Sequence, residues 1–186
     1  MSRVLFFIIL SLPFSAQAQL TFIELEAMSI SPEKLSGEFK QEKYISDLAI
    51  TLSSTGLFSY HRGKNIHWKT LEPIQSELIM TPNTIINRQG DNELFRMDVN
   101  AASAIGLISE LFFSIMTSDW QKLAAAFVIS GENKDGVWVA ELTPIDETIA
   151  QFSSRISLRG DHLLREITLY EKSGDYTAIH FDRLSQ

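Results

Sequence analysis

The most restrictive feature of this chain is a change of period. From Gly37 onward the sequence breaks into short stretches that alternate in character every residue, each closed by a turn signal. Phe39, Gln41 and Lys43 fall on one side of the first stretch, and Glu38, Lys40, Glu42 and Tyr44 on the other. A second stretch, Leu48 to His61, holds Gly56 in its interior, where a strand bends or bulges. Further strands are predicted at Asn65–Lys69, Ser76–Met80 and Glu93–Met97, set apart by Pro73, Pro82 and Gly90-Asp91. Phe127–Gly131 and Val137–Leu142 read as a hairpin around Glu132–Gly136. Arg155–Arg159, Leu163–Tyr170 and Tyr176–Arg183 read as a meander turning at Gly160-Asp161 and Ser173-Gly174. Eight to eleven antiparallel strands in series favour a strongly curved, barrel-like sheet.

Helical periodicity interrupts this pattern in few places. Thr21–Ile30 reads as a helix stopped by Ser31-Pro32. Ala101–Met116 carries Glu110 as its only charge and is apolar almost all round. Such a helix is expected to be buried or to cap an apolar surface, where it would plug or cover the concave face of the sheet, and it is too short for the ~20 residues that span a bilayer. Thr117-Ser118-Asp119 resembles a cap that opens a short helix through Leu123. Two or three helices interspersed among the strands make the fold class α+β.

The first eighteen residues read as an address. Arg3 precedes the apolar run Val4–Leu10, and Ala16-Gln17-Ala18 supplies a cleavage signal. The expectation is export, cleavage after Ala18, and a single domain over residues 19–186 in the periplasm. The 186 residues suffice for one compact domain. Cysteine is absent, which excludes disulfides, a thiol nucleophile, Cys-ligated metals and a lipid anchor on an N-terminal cysteine. The net charge is -7 with no run of Lys or Arg, so the chain lacks the footprint of a nucleic-acid or anionic-membrane binder.

Motifs for chemistry are missing. There is no G-x-S-x-G elbow, P-loop, H-E-x-x-H or G-x-G-x-x-G. His61 and His67 are six apart, with no local carboxylate to complete a metal site. Asp146-Glu147 follows Thr143-Pro144 and reads as a turn or helix N-terminus rather than an acid–base pair. We therefore expect a binding protein, with no catalysis, cofactor or metal. The competing readings are a lipid-binding sensor and an enzyme acting on an apolar substrate.

A resemblance sharpens this expectation. Gly37-Glu38-Phe39-Lys40-Gln41-Glu42-Lys43, Ser54-Thr55-Gly56-Leu57-Phe58-Ser59-Tyr60-His61-Arg62, Asn65-Ile66-His67-Trp68 and Glu72-Pro73-Ile74-Gln75-Ser76 follow one another in order. This series resembles the N-terminal half of the LolA family, periplasmic carriers of outer-membrane lipoproteins. The family pattern is a helix, a strand with F-x-Q, a G-x-L/F-x-x-x-R strand, a Trp, and a Pro before the next strand. Gly56, Arg62, Trp68 and Pro73 match it without a gap. Trp138–Pro144, Ile156–Arg159, Leu163–Leu169 and Thr177–Phe181 agree more loosely, so the resemblance runs from about Leu20 to Phe181.

The resemblance implies an incomplete barrel with helices across its open side and an apolar cavity for acyl chains between them. It gives Arg62 the part of an arginine that bonds to the covering segment and shuts the empty cavity. The cavity candidates are Phe39, Trp68, Met80, Phe95, Met97, Leu107, Leu111 and Ile115. Implied partners are a lipidated protein or non-protein lipid as cargo, a transient inner-membrane donor and an outer-membrane acceptor. No nucleic acid is implied, and the carrier is expected to be a monomer. Two departures stand out: Thr81–Gly90 lacks the aromatic residues of the family pattern, and the chain stops at Gln186, where the housekeeping carriers continue. In both respects the chain resembles shorter paralogues that handle non-protein lipids.

Overall fold

A computed structural model describes residues 20–99 and 104–186. The expected export signal over residues 1–18, and residues 101–103 of the expected Ala101–Met116 helix, lie outside the described residues. The strands form two antiparallel meanders. The first contains β1 (Lys34–Ile45), β2 (Ile50–His61), β3 (Asn65–Glu72), β4 (Ser76–Met80), β5 (Thr84–Gln89) and β6 (Asn92–Asp98). The second contains β7 (Phe127–Lys134), β8 (Val137–Pro144), β9 (Ser153–Gly160), β10 (Leu164–Glu171) and β11 (Tyr176–Ser185). They join in one eleven-stranded sheet, ordered β6-β5-β4-β3-β2-β1-β11-β10-β9-β8-β7. β1 therefore pairs with both β2 and β11, and β6 and β7 are left as the two free edges of an unclosed sheet.

Four α-helices accompany the strands among the described residues: α1 (Phe22–Met28), α2 (Ala104–Met116), α3 (Trp120–Ala124) and α4 (Glu147–Phe152). In the chain, α2 and α3 connect the two free edges, since they lie between β6 and β7. Thr21 and Glu24 cap α1 reciprocally, side chain to backbone in both directions. Asp146 accepts from the Thr148 and Ile149 amides and caps α4, so the Asp146-Glu147 pair serves a helix N-terminus.

The strand alternation sorts residues onto the two faces. In register across the sheet, Phe58 lies opposite Trp68, Trp68 opposite Leu78, and Phe39 opposite Phe181. These and their alternates in neighbouring strands form one buried cluster with residues of α2 and α3. Gly56 sits where the β2–β3 register shifts, as its position in the sequence predicted. A Cβ there would lie 2.0 Å from the Lys69 carbonyl oxygen and 2.8 Å from the Phe39 ring. Only glycine lets the ring of Phe39 lie across β2.

Two elements differ from expectation. β5 is a strand although Thr84–Gln89 shows no alternation. Adjacent Ile85 and Ile86 serve opposite faces, one packed against the core and the other buried on the convex side, so both positions are apolar. α4 raises the helix count above three; six residues are too few for periodicity to show. α1 also ends early, at Met28, with Ser29 as an extended C-cap rather than the Ser31-Pro32 stop.

Candidate functional site

The inner face of the first meander is built around Trp68. Its indole stacks on Phe39 at 4.0 Å between ring centroids, with the planes 26° apart. Phe58 and Phe181 approach at 6.1 Å, and Phe112 of α2 meets it edge-on at the same distance. The central strands thus present one aromatic surface, and α2 packs on the core through Leu111, Ile115 and Met116 and meets the Trp68 ring with Phe112. Aromatic pairs of this kind add about 0.5–1.5 kcal/mol each to their area burial, which fixes where the helix can sit.

Beside that contact the packing stops and a cavity of about 390 Å³ opens. Gln41, Trp68, Leu78, Met80, Ile85, Phe95 and Ile179 line it from the sheet, and Ser109 and Phe112 line it from α2. Trp68, Met80 and Phe95, all inferred as cavity residues from the sequence, are brought together here. Phe39 lies under Trp68 and is buried. Met97 of β6 pairs with Ile85 of β5 and is 36% exposed. Leu111 and Ile115 are buried in the core cluster, and Leu107 packs partly buried against it.

The lining residues that sequence reasoning missed are instructive. Leu78 and Ile179 are two positions from Met80 and Phe181 on the same strand faces, so alternation alone points to them. Gln41 is the polar end of the Phe39-Lys40-Gln41 motif. On α2, no signal marked Ser109 and Phe112, because a helix that is apolar almost all round does not reveal which stripe faces the void.

Arg62 begins the turn between β2 and β3, where its amide donates to the Glu33 carbonyl oxygen. Its side chain lines a second cleft, of about 690 Å³, together with Ser29, Ser31, Thr81, and Ser109 and Glu110 of α2. Ser109 borders both spaces. Lys122 in the same cleft lies 3.8 Å from Glu110 and 3.5 Å from Asp119. Among the described residues the Arg62 guanidinium has no such carboxylate partner. Burial pushes the neighbouring Tyr60 phenol up to about 12, a rise that Arg62 partly offsets.

Chemically, the cavity offers hydrocarbon and aromatic surface and little else. It can withdraw an alkyl chain from water, at about 0.8 kcal/mol per methylene buried. The histidines are engaged elsewhere: His61 approaches Glu33 at 3.0 Å and His67 approaches Glu77 at 3.4 Å. No helix among the described residues is long and apolar enough to cross a membrane.

With this geometry in place, the chain can be compared with known proteins. No curated protein matches the chain. Several solved structures are similar at low identity. A LolA superfamily protein of Nitrosomonas europaea is 10% identical over 88% of this chain and 91% of its own, with a TM-score of 0.46. The Pseudomonas aeruginosa MucA/MucB complex contains a chain 16% identical over 88% of this one and 55% of its own, TM-score 0.49. A DUF1329 family protein of Desulfovibrio piger is 12% identical over 88% and 89%, TM-score 0.47. The family model described as outer membrane lipoprotein carrier protein LolA matches residues 31–186, which is most of the chain. The chain belongs to the LolA family of outer membrane lipoprotein carrier proteins.

Proposed function

We propose that this protein is a periplasmic carrier that holds acyl chains of a lipoprotein or another lipid in the cavity beneath α2 and moves them from the inner to the outer membrane. The observation that carries this reading is the apolar void between Trp68, Phe95 and Phe112 in a chain of the LolA family. An exposed chain of ~14 carbons costs on the order of 10 kcal/mol in water, so a lipidated molecule needs such a shelter to cross an aqueous compartment. Residues 1–18 serve export, and residues 19–186 act as one lipid-binding domain with no catalytic role.

The cavity suits one acyl chain in the arrangement described here. Larger cargo requires α2 to lift from Trp68, and Phe112 is the ring it would pull away. Arg62 borders the same helix across the larger cleft and in this reading holds it down when the carrier is empty. The donor at the inner membrane and the acceptor at the outer membrane meet the carrier transiently, because a carrier must release what it binds.

The test is mass spectrometry of organic extracts from protein purified out of its native periplasm, with wild type beside Arg62→Leu. A lipopeptide or other lipid in the wild-type extract, enriched several-fold in Arg62→Leu, is the expected result. Empty extracts from both proteins would contradict carriage. Equal lipid content in the two would remove the closing role from Arg62.

A further inference from the structure

The concave face of the first meander carries two chemistries. Near the β2–β3 turn it is apolar, with Tyr60 beside Ile66 and Ile66 beside Met80. Towards the other strand ends, the inward positions of five successive strands are Gln41, Ser54, Thr70, Ser76 and Asn87. Gln41 pairs with Ser54 and Thr70 with Ser76, while Asn87 lies between Leu78 and Phe95, both of which line the cavity. All five are partly buried, and none is charged. Asn87 Oδ1 is fully buried without a hydrogen-bond partner. Among the described residues the other four side chains make no hydrogen bond either.

An unpartnered buried polar atom costs about 1–3 kcal/mol, and a leucine at position 87 would avoid that cost among its apolar neighbours. We infer that this band holds the neutral, hydroxyl-rich head of an amphiphile, a glycosyl group whose alkyl chain lies in the adjoining cavity. The inference rests on the lipid-binding reading above and names the head-group class. Asn87 Oδ1 requires a donor, which sugar hydroxyls supply and ester carbonyls do not. The Gln41 amide, in the cavity wall, offers donor and acceptor side by side, the arrangement that pairs with vicinal hydroxyls. An ionic head would find no countercharge in the band and would remain poorly compensated there. From β1 to β5 the band crosses four strand spacings, about 19 Å along the sheet. That width suits a di- or trisaccharide better than a single glycerol.

The test compares decyl maltoside with decanoate, each below micelle formation, by displacement of a fluorescent apolar probe from the delipidated protein. Wild type should bind the maltoside at least about tenfold more tightly than decanoate. In Asn87→Leu that ratio should fall to about one, with decanoate affinity held within about twofold, and in Gln41→Leu, a residue of the cavity wall, the ratio should fall likewise. Ligand-free Asn87→Leu should melt ~2–4 °C higher, which also shows that it folds. Equal affinities in wild type, or an unchanged ratio in both variants, would overturn the head-group assignment alone. Failure of wild type to bind either amphiphile would overturn the cavity reading with it. Maltose bound as tightly as decyl maltoside would overturn the amphiphile in favour of a free sugar. Decanoate preferred in wild type but not in Arg62→Gln would place a charged head in the larger cleft and overturn the proposal.

Discussion

In the second meander, the inward residues Trp138, Ala140, Leu142 and Leu158 are sealed, each at most 1% exposed, under α3 and α4. Trp120 of α3 meets Trp138 edge-on at 5.7 Å, and both rings are buried. In the first meander, the same alternation runs from Trp68 through Leu78 and Ile85 to Phe95, but beside the Phe112 contact of α2 a void opens. Phe95 at the free edge is 43% exposed. The two halves share pleat, direction and inward apolar pattern. Whether an inner face is filled or keeps a void therefore depends on how fully the helices cover it, and here the void lies in the first half.

The largest expected effect breaks the filled half. Trp138→Ala should destabilise by about 3–5 kcal/mol, because it opens a cavity where the ring packs fully and its Nε1–H donates to the Asp161 carbonyl oxygen. Thermal melting checks this, and a loss under ~1 kcal/mol would mean that the second half is not a tight core. Phe95→Ser should separate the halves in the other sense. Its stability cost should be under ~1 kcal/mol, while the Kd of a fluorescent acyl probe rises about tenfold. Ser109→Phe projects a ring into the void from the helix side. We expect acyl-probe binding to disappear while the far-ultraviolet circular dichroism spectrum is retained.

The smallest effect lies at the seam where the meanders join. Asp175, before β11, accepts from the Ser46 amide at 2.9 Å and from its hydroxyl at 2.7 Å, beside the β1–β2 connection. The Ser46 amide and hydroxyl, aided by Lys43, hold the Asp175 carboxyl below its usual 3.8. A carboxyl depressed in the folded state stabilises above about pH 3.8 and loses that contribution as the pH falls further. Acid titration of melting temperature should therefore show a slightly shallower decline for Asp175→Asn than for wild type. Identical slopes would remove Asp175 from the acid response.

Much of the sheet was legible because a half-covered strand writes its inner face as every second residue. β4 matches its predicted span of Ser76–Met80, and the bulge at Gly56 follows from a glycine inside an alternating run. β5 was illegible for the opposite reason: Ile85 and Ile86 are both covered, on different faces, and the alternation disappears. The strand side of the cavity was named through the family resemblance, as Trp68, Met80 and Phe95, and the strand register places these three on one face. The helix side was not fixed in this way. Leu107, Leu111 and Ile115 form one plausible stripe of α2, yet Ser109 and Phe112 border the void, and tertiary contact rather than period selects between them.

The claim that the first meander carries an acyl site and the second a closed core can be tested by photolabelling. Delipidated protein would be irradiated with a diazirine-bearing fatty acid, digested, and the adducts located by mass spectrometry. The account predicts labels on peptides holding Trp68, Leu78–Ile85, Phe95 and Phe112, and none on the strands around Trp138 and Leu158. Labels concentrated in the second meander, or in the cleft beside Ser29 and Lys122, would contradict it.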